Sequence, residues 1–206
     1  ETSKPGKPDS ARVGRLGAFS GKIILNGKRR GFSGRFNATG ETAITVKRGT
    51  NTPCSVTLQL DLTNGTDQVV GNVTDGKWTS DLNGDRNVFD ALANPAKQAG
   101  ERSFVLERAE KTAAASGLSR IGMTGNTHVR GNLEDGRKFA AGSSLAKNGD
   151  CPFYLSLGGG SEVIIGWLNF PATGGALANG NVGWVKTGTH GFASSLQAAS
   201  VQTVGK

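Results

Sequence analysis

The sequence predicts an all-β fold: a single closed or nearly closed antiparallel β-barrel, with a β-sandwich as the alternative, assembled from two pseudo-symmetric halves. Three observations predict it. Apolar and polar residues alternate with period two through short runs rich in Val, Thr and Ser, the pattern of a half-buried strand. Asn-Gly or Asp-Gly pairs punctuate those runs, among them Asn26-Gly27, Asn64-Gly65, Asp75-Gly76, Asn83-Gly84, Asp135-Gly136 and Asn148-Gly149. Such pairs supply the positive φ angles of tight hairpins, which favours an antiparallel meander. Finally, the chain repeats itself: Arg12-Val13-Gly14 is echoed by Arg120-Ile121-Gly122, and Cys54-Ser55-Val56-Thr57-Leu58 by Cys151-Pro152-Phe153-Tyr154-Leu155.

Alternation places strands near 11–16, 19–25, 30–36, 42–47, 55–62, 68–74 and 78–82, then 102–106, 118–123, 127–133, 138–145, 152–157, 162–169, 181–186 and 196–204. Closure of so many short strands would remove exposed sheet edges. Residues 1–10 are a polar, Pro-containing lead-in. The halves are expected over about 11–100 and 118–206, with 107–117 as a loose connector or short helix and one further turn within 91–100. Each half taken alone is small for an independent core, so one shared interior is expected. Trp78, Trp167 and Trp184, with Phe36, Phe104, Phe139 and Phe170, are its expected packing. Offsets between the matched motifs shrink along the chain, which suggests residues missing from the second copy around 41–48.

Charge separates the halves. Residues 1–50 carry 11 Lys and Arg against 3 acids, which accounts for the whole net charge of +8. Arg12, Arg15, Lys22, Lys28, Arg29, Arg30 and Arg35 form the candidate stripe, suited to phosphate or to sulfated or uronic polysaccharide. Phe19, Phe32 and Phe36 alternate inward, which argues against stacking of single-stranded nucleic acid. The two cysteines, Cys54 and Cys151, fall at matched strand starts. They are either small buried hydrophobes or a disulfide.

The glycine and aromatic motifs also carry a resemblance. Phe19-Ser20-Gly21-Lys22-Ile23, Gly31-Phe32-Ser33-Gly34-Arg35-Phe36, Asp85-Arg86-Asn87-Val88-Phe89, Gly131-Asn132-Leu133-Glu134-Asp135-Gly136 and Gly166-Trp167-Leu168-Asn169-Phe170 lie within about 17–192. Over that span the chain resembles an uncharacterised duplicated β-module of large secreted or surface proteins of verrucomicrobial-type environmental bacteria. The resemblance implies an extracellular or cell-surface setting and assigns no reaction or catalytic residue.

Chemistry-bearing motifs are sparse. His128 and His190 sit among Thr and Gly with no ligand-spaced partner. Gly158-Gly159-Gly160-Ser161 leads into no helix and reads as a hairpin loop. Asp81, Asn83 and Asp85 alternate like the oxygen ligands of a calcium loop, yet Arg86 stands where that loop requires glycine. No cofactor is expected. The sequence thus points to a non-enzymatic structural, assembly or adhesion module of an exported protein, with neighbouring copies or domains as partners and no membrane insertion. A carbohydrate- or polyanion-binding module is the alternative, and a secreted hydrolase a more distant one.

Overall fold

The computed structural model describes residues 7–14, 16–25, 28–63, 65–172, 179–186 and 194–199. These residues form fifteen strands: β1 Lys7–Val13, β2 Ala18–Leu25, β3 Lys28–Arg35, β4 Glu41–Arg48, β5 Asn51–Leu60, β6 Gln68–Thr74, β7 Thr79–Asp85, β8 Gly100–Glu107, β9 Ala113–Ile121, β10 Asn126–Leu133, β11 Lys138–Ser144, β12 Asp150–Leu157, β13 Glu162–Asn169, β14 Asn179–Lys186 and β15 Ser194–Ala199. The strand expected from residue 11 begins at Lys7, so the lead-in is shorter than its polarity suggests. Gly158–Gly160 forms a 3-10 turn between β12 and β13, still a hairpin connection.

All ladders are antiparallel, in a three-stranded sheet β1-β2-β3, a four-stranded sheet β4-β5-β6-β7, and an eight-stranded sheet ordered β11-β10-β9-β8-β15-β14-β13-β12. None closes on itself. Strands β3 and β4 lie side by side without a ladder, as do β11 and β12, where the Ser143 hydroxyl donates to the Pro152 carbonyl at 2.6 Å.

The chain divides into two compact units, Glu1–Arg86 and Asn87–Lys206. Each has its own core, which replaces the single shared interior expected from the sequence. The first packs Phe19, Ile23, Phe36, Val46, Cys54, Val56, Val73 and Leu82. The second packs Phe104, Leu106, Phe139, Phe153, Ile164, Leu168, Phe170 and Trp184. Trp78 and Trp167 are only half-buried. Residues 107–117 are not a connector between halves. They make the β8–β9 hairpin inside the second unit, where Lys111 N–H bonds the Arg108 carbonyl and Ala114 and Ala115 bury against the core. Small alanines leave no wide apolar face for a helix, and alternation wins. Residues 91–100 hold turns and the start of β8.

Turn chemistry behaves as expected at Asp75-Gly76, Asp135-Gly136 and Asn148-Gly149, whose glycines have φ of 87°, 82° and 90°. Asn83-Gly84 is different. Both residues lie inside β7, opposite Val70 and Val69, where the missing Cβ of Gly84 makes room for a Val69 methyl. Asn26-Gly27 and Asn64 fall outside the described residues.

The duplication is real in the hydrogen bonding, but its register differs from the one the cysteines suggest. In the first unit Gly14 N–H bonds Ala18 O, Phe36 N–H bonds Gly17 O, Gly40 N–H bonds Asn37 O and Leu60 N–H bonds Gly40 O. The second unit repeats this chain of bonds with Gly122 to Asn126, Leu145 to Gly125, Gly149 to Ala146 and Phe170 to Gly149. The offset is 108 to 110 residues throughout, so β4 has its counterpart in β12 and nothing is missing from the second copy. Cys54 lies on β5 opposite Val46, the place Ile164 takes opposite Leu155, whereas Cys151 lies on β12. The cysteines are therefore not equivalent, and no disulfide joins them: both are held as buried thiols, one in each core.

Candidate binding surface

Residues directly opposite each other in an antiparallel ladder share a face, and successive residues alternate faces. On β1-β2-β3 this sorts the basic residues. Ala18 faces Arg35; Arg12 faces Ser20, which faces Ser33; Lys22 faces Gly31; and Ile24 faces Arg29. These four rows make the outer face, and Arg12, Lys22, Arg29 and Arg35 are all exposed on it. Neighbouring rows stand two residues apart, roughly 6.6 Å, so four cations span about 20 Å with one in each row. Strands β2 and β3 contain no acidic residue. Among the described residues no ion pair uses Arg12, Lys22 or Arg35; the Arg35 guanidinium instead donates to the Leu16 carbonyl at 3.2 Å.

The structure does not unite the whole stripe. Arg30 pairs with Ile23, which is fully buried, so its side chain leaves on the inner face and is half-buried. Lys28 is exposed at the start of β3, beside the β2–β3 turn. Arg15 lies outside the described residues. Arg48, another of the first fifty residues' cations, is withdrawn altogether: its guanidinium meets Asp75 at 2.6 Å and its Nε donates to Thr52 O.

The corrected register exposes what sequence comparison missed. The outer face recurs in the second unit, where Arg120 faces His128, Arg130 faces Leu118 and Ala140, and Lys138 faces Asn132. Arg120, Arg130 and Lys138 take the places of Arg12, Lys22 and Arg29, all exposed, again with no acid on β9, β10 or β11. The second unit's acids sit elsewhere, notably Glu101 on β8 opposite Arg120, and the acids that pair with Arg108 and Arg137. The signal was present in the sequence, at the offset of 108 that Arg12-Val13-Gly14 and Arg120-Ile121-Gly122 already show.

The three calcium candidates do not converge on one point. Asp81, Asn83 and Asp85 are alternate residues of strand β7, spread along one face roughly 6.6 Å apart. A calcium ion requires oxygens at about 2.3–2.6 Å and hence a chain that curls around it. Asp85 instead accepts from the Gln68 amide at 3.1 Å. No group of three His, Cys, Asp or Glu side chains that could hold a metal occurs among the described residues. His128 is exposed, and His190 lies outside the described residues.

An open groove of about 390 Å³ lies at one end of β5 and β6, lined by Thr39, Gln59, Leu60, Asp61, Leu62 and Val70 among others. Its carboxylate is occupied: the Thr63 hydroxyl at 2.6 Å and the Thr63 N–H at 2.8 Å hold the Asp61 carboxyl below the usual range. Asp90 is likewise held low, by the N–H groups of Ala93 and Leu92. At Asp75 burial pushes the carboxyl up, but the Lys77 N–H and the Arg48 guanidinium outweigh it and the net shift is downward. Comparison with protein-family models, with curated proteins and with solved structures finds no match to this chain.

Proposed function

We propose that this chain is a non-enzymatic adhesion or assembly module of an exported or cell-surface bacterial protein, and that its adhesive surface is the outer face of β1-β2-β3, which takes an acidic polysaccharide. The observation that carries this reading is one exposed cation in each of four successive cross-strand rows, with no acid on β2 or β3. Flat, regularly spaced cations suit a linear polyanion, because contacts accumulate along its length without a pocket. The repeated set Arg120, Arg130 and Lys138 supplies a second, weaker face of the same kind.

In the same reading each unit is a β-barrel left open along a seam, β3 against β4 in the first and β11 against β12 in the second. The Ser143 to Pro152 bond across the latter supports this.

Retention on immobilised heparin and on a polyuronate, with a neutral glucan as reference, tests the proposal. Reversing Arg12, Lys22, Arg29 and Arg35 to Glu is expected to abolish retention at 0.15 M salt, on the order of a Debye length of 8 Å. Reversing Arg120, Arg130 and Lys138 is expected to weaken it less. Reversing Lys77 and Lys97, exposed cations off these faces, is expected to leave it nearly intact. Equal losses from all three sets would reduce the effect to net charge and defeat the assignment.

A further inference from the structure

Among the described residues the two units share a register but not a strand count. In the second, β8 lies between β9 and β15 and pairs antiparallel with both. In the first, the equivalents of β9 and β15 are β1 and β7: the Gly14 turn matches the Gly122 turn, and Asp81 opposite Asn72 matches Gln197 opposite Asn181. Strand β1 pairs only with β2, and β7 only with β6, among the described residues. An up-and-down run of seven strands leaves its first and last strands pointing the same way. They come near one another but cannot extend the antiparallel pattern without an eighth between them.

A side chain registers the vacancy. Ile121, at the end of β9 opposite Gly100 of β8, is 2% exposed. Its counterpart Val13, on the same inward face of β1 opposite buried Phe19, is 50% exposed. The edges also carry charge that specifies a partner. Arg12 stands where Arg120 faces Glu101, and Asp81 stands where Gln197 faces Glu107.

We infer that the first unit is completed by an eighth strand of the same chain that pairs antiparallel with β1 and β7, as β8 pairs with β9 and β15. Its chemistry follows from the places it fills: an acid opposite Arg12, two inward apolar side chains at the positions of Phe104 and Leu106, and a cation where Glu107 stands, because a second acid directly opposite Asp81 would repel.

The experiment is a graft onto the full chain. A second copy of Gly100–Glu107 with its turn, residues 108–112, is placed directly before Lys7, with Glu107→Lys in the grafted copy only. Hydrogen exchange at the β7 amides is expected to slow by about tenfold or more, with a rise in the first unit's melting temperature. Phe104→Ser with Leu106→Ser in the grafted copy should cancel both gains while leaving the second unit's exchange unchanged, which shows that the carrier chain still folds. Unchanged β7 exchange in the apolar graft would overturn the inference. Protection of β7 by the free peptide but not by the graft would also overturn it, since the strand would then come from another chain. Neither readout depends on polysaccharide retention.

Discussion

Arg48 and Asp75 show how the first unit handles charge at the end of its core. Their side chains are 11% and 9% exposed, beside Cys54, whose thiol burial pushes up. The second unit solves the same place differently. Trp184, the counterpart of Asp75, donates its indole N–H to Glu162 at 3.0 Å, and Arg137 clamps that carboxylate with two bonds. Asp75 therefore gives the first unit a pH dependence at this site. Its carboxyl is held below the ordinary 3.8, so the stability it contributes is full above that value and is lost as pH falls through the lower folded value. Asp75→Asn is expected to melt below the parent at pH 7, with the gap closing as both are taken from pH 4 towards 2. Melting curves across that range check it, and a gap independent of pH would show that the carboxylate acts through size alone.

At the scale of the strand, alternation decides which of two adjacent arginines meets solvent. Arg29 and Arg30 look like one basic cluster in the sequence, yet Arg29 stands opposite Ile24 on the outer face and Arg30 opposite Ile23 on the inner one. Arg29→Glu is expected to weaken polyanion retention with little change in stability. Arg30→Glu is expected to cost on the order of 1–3 kcal/mol of stability, because it brings an acid to the half-buried inner side. Parallel retention and denaturation measurements separate the two, and identical profiles would contradict the face assignment. Strand positions were legible in the sequence because period-two alternation acts locally, and each expected strand overlaps an observed one. Equivalence between copies was not. The tripeptide around Arg12 aligned correctly, but Cys54 and Cys151 share a residue type and not a place. The symmetry that relates β4 to β12 is carried by backbone bonds at Gly40 and Gly149, while ETAITVKR and DCPFYLSL share almost no side chains. The basic face was legible as charge and became a surface only once pairing fixed which residues share a row.

At the scale of the whole chain, two cores replace the one that the small size of each half suggested. A short half was judged too small to stand alone, but the halves drawn at 11–100 and 118–206 left the strand near 102–106 in neither. With β8 in the second, Phe104 and Leu106 complete the larger core, at 1% and 0% exposure. Phe153 tests the partition. It is 2% exposed and meets Phe139 edge-on, with centroids 6.3 Å apart and planes at 74°. Phe153→Ala removes that contact and leaves a cavity, a change that costs about 3–5 kcal/mol, a large share of a domain's roughly 5–15. Because each buried cluster is continuous only within its own unit, the loss should appear as faster hydrogen exchange at Ile164 and Leu168, with the amides of Val56 and Val73 exchanging as in the parent. Acceleration at all four positions would mean that the two cores melt as one cooperative unit, and the division at Arg86 would then describe packing without independent stability.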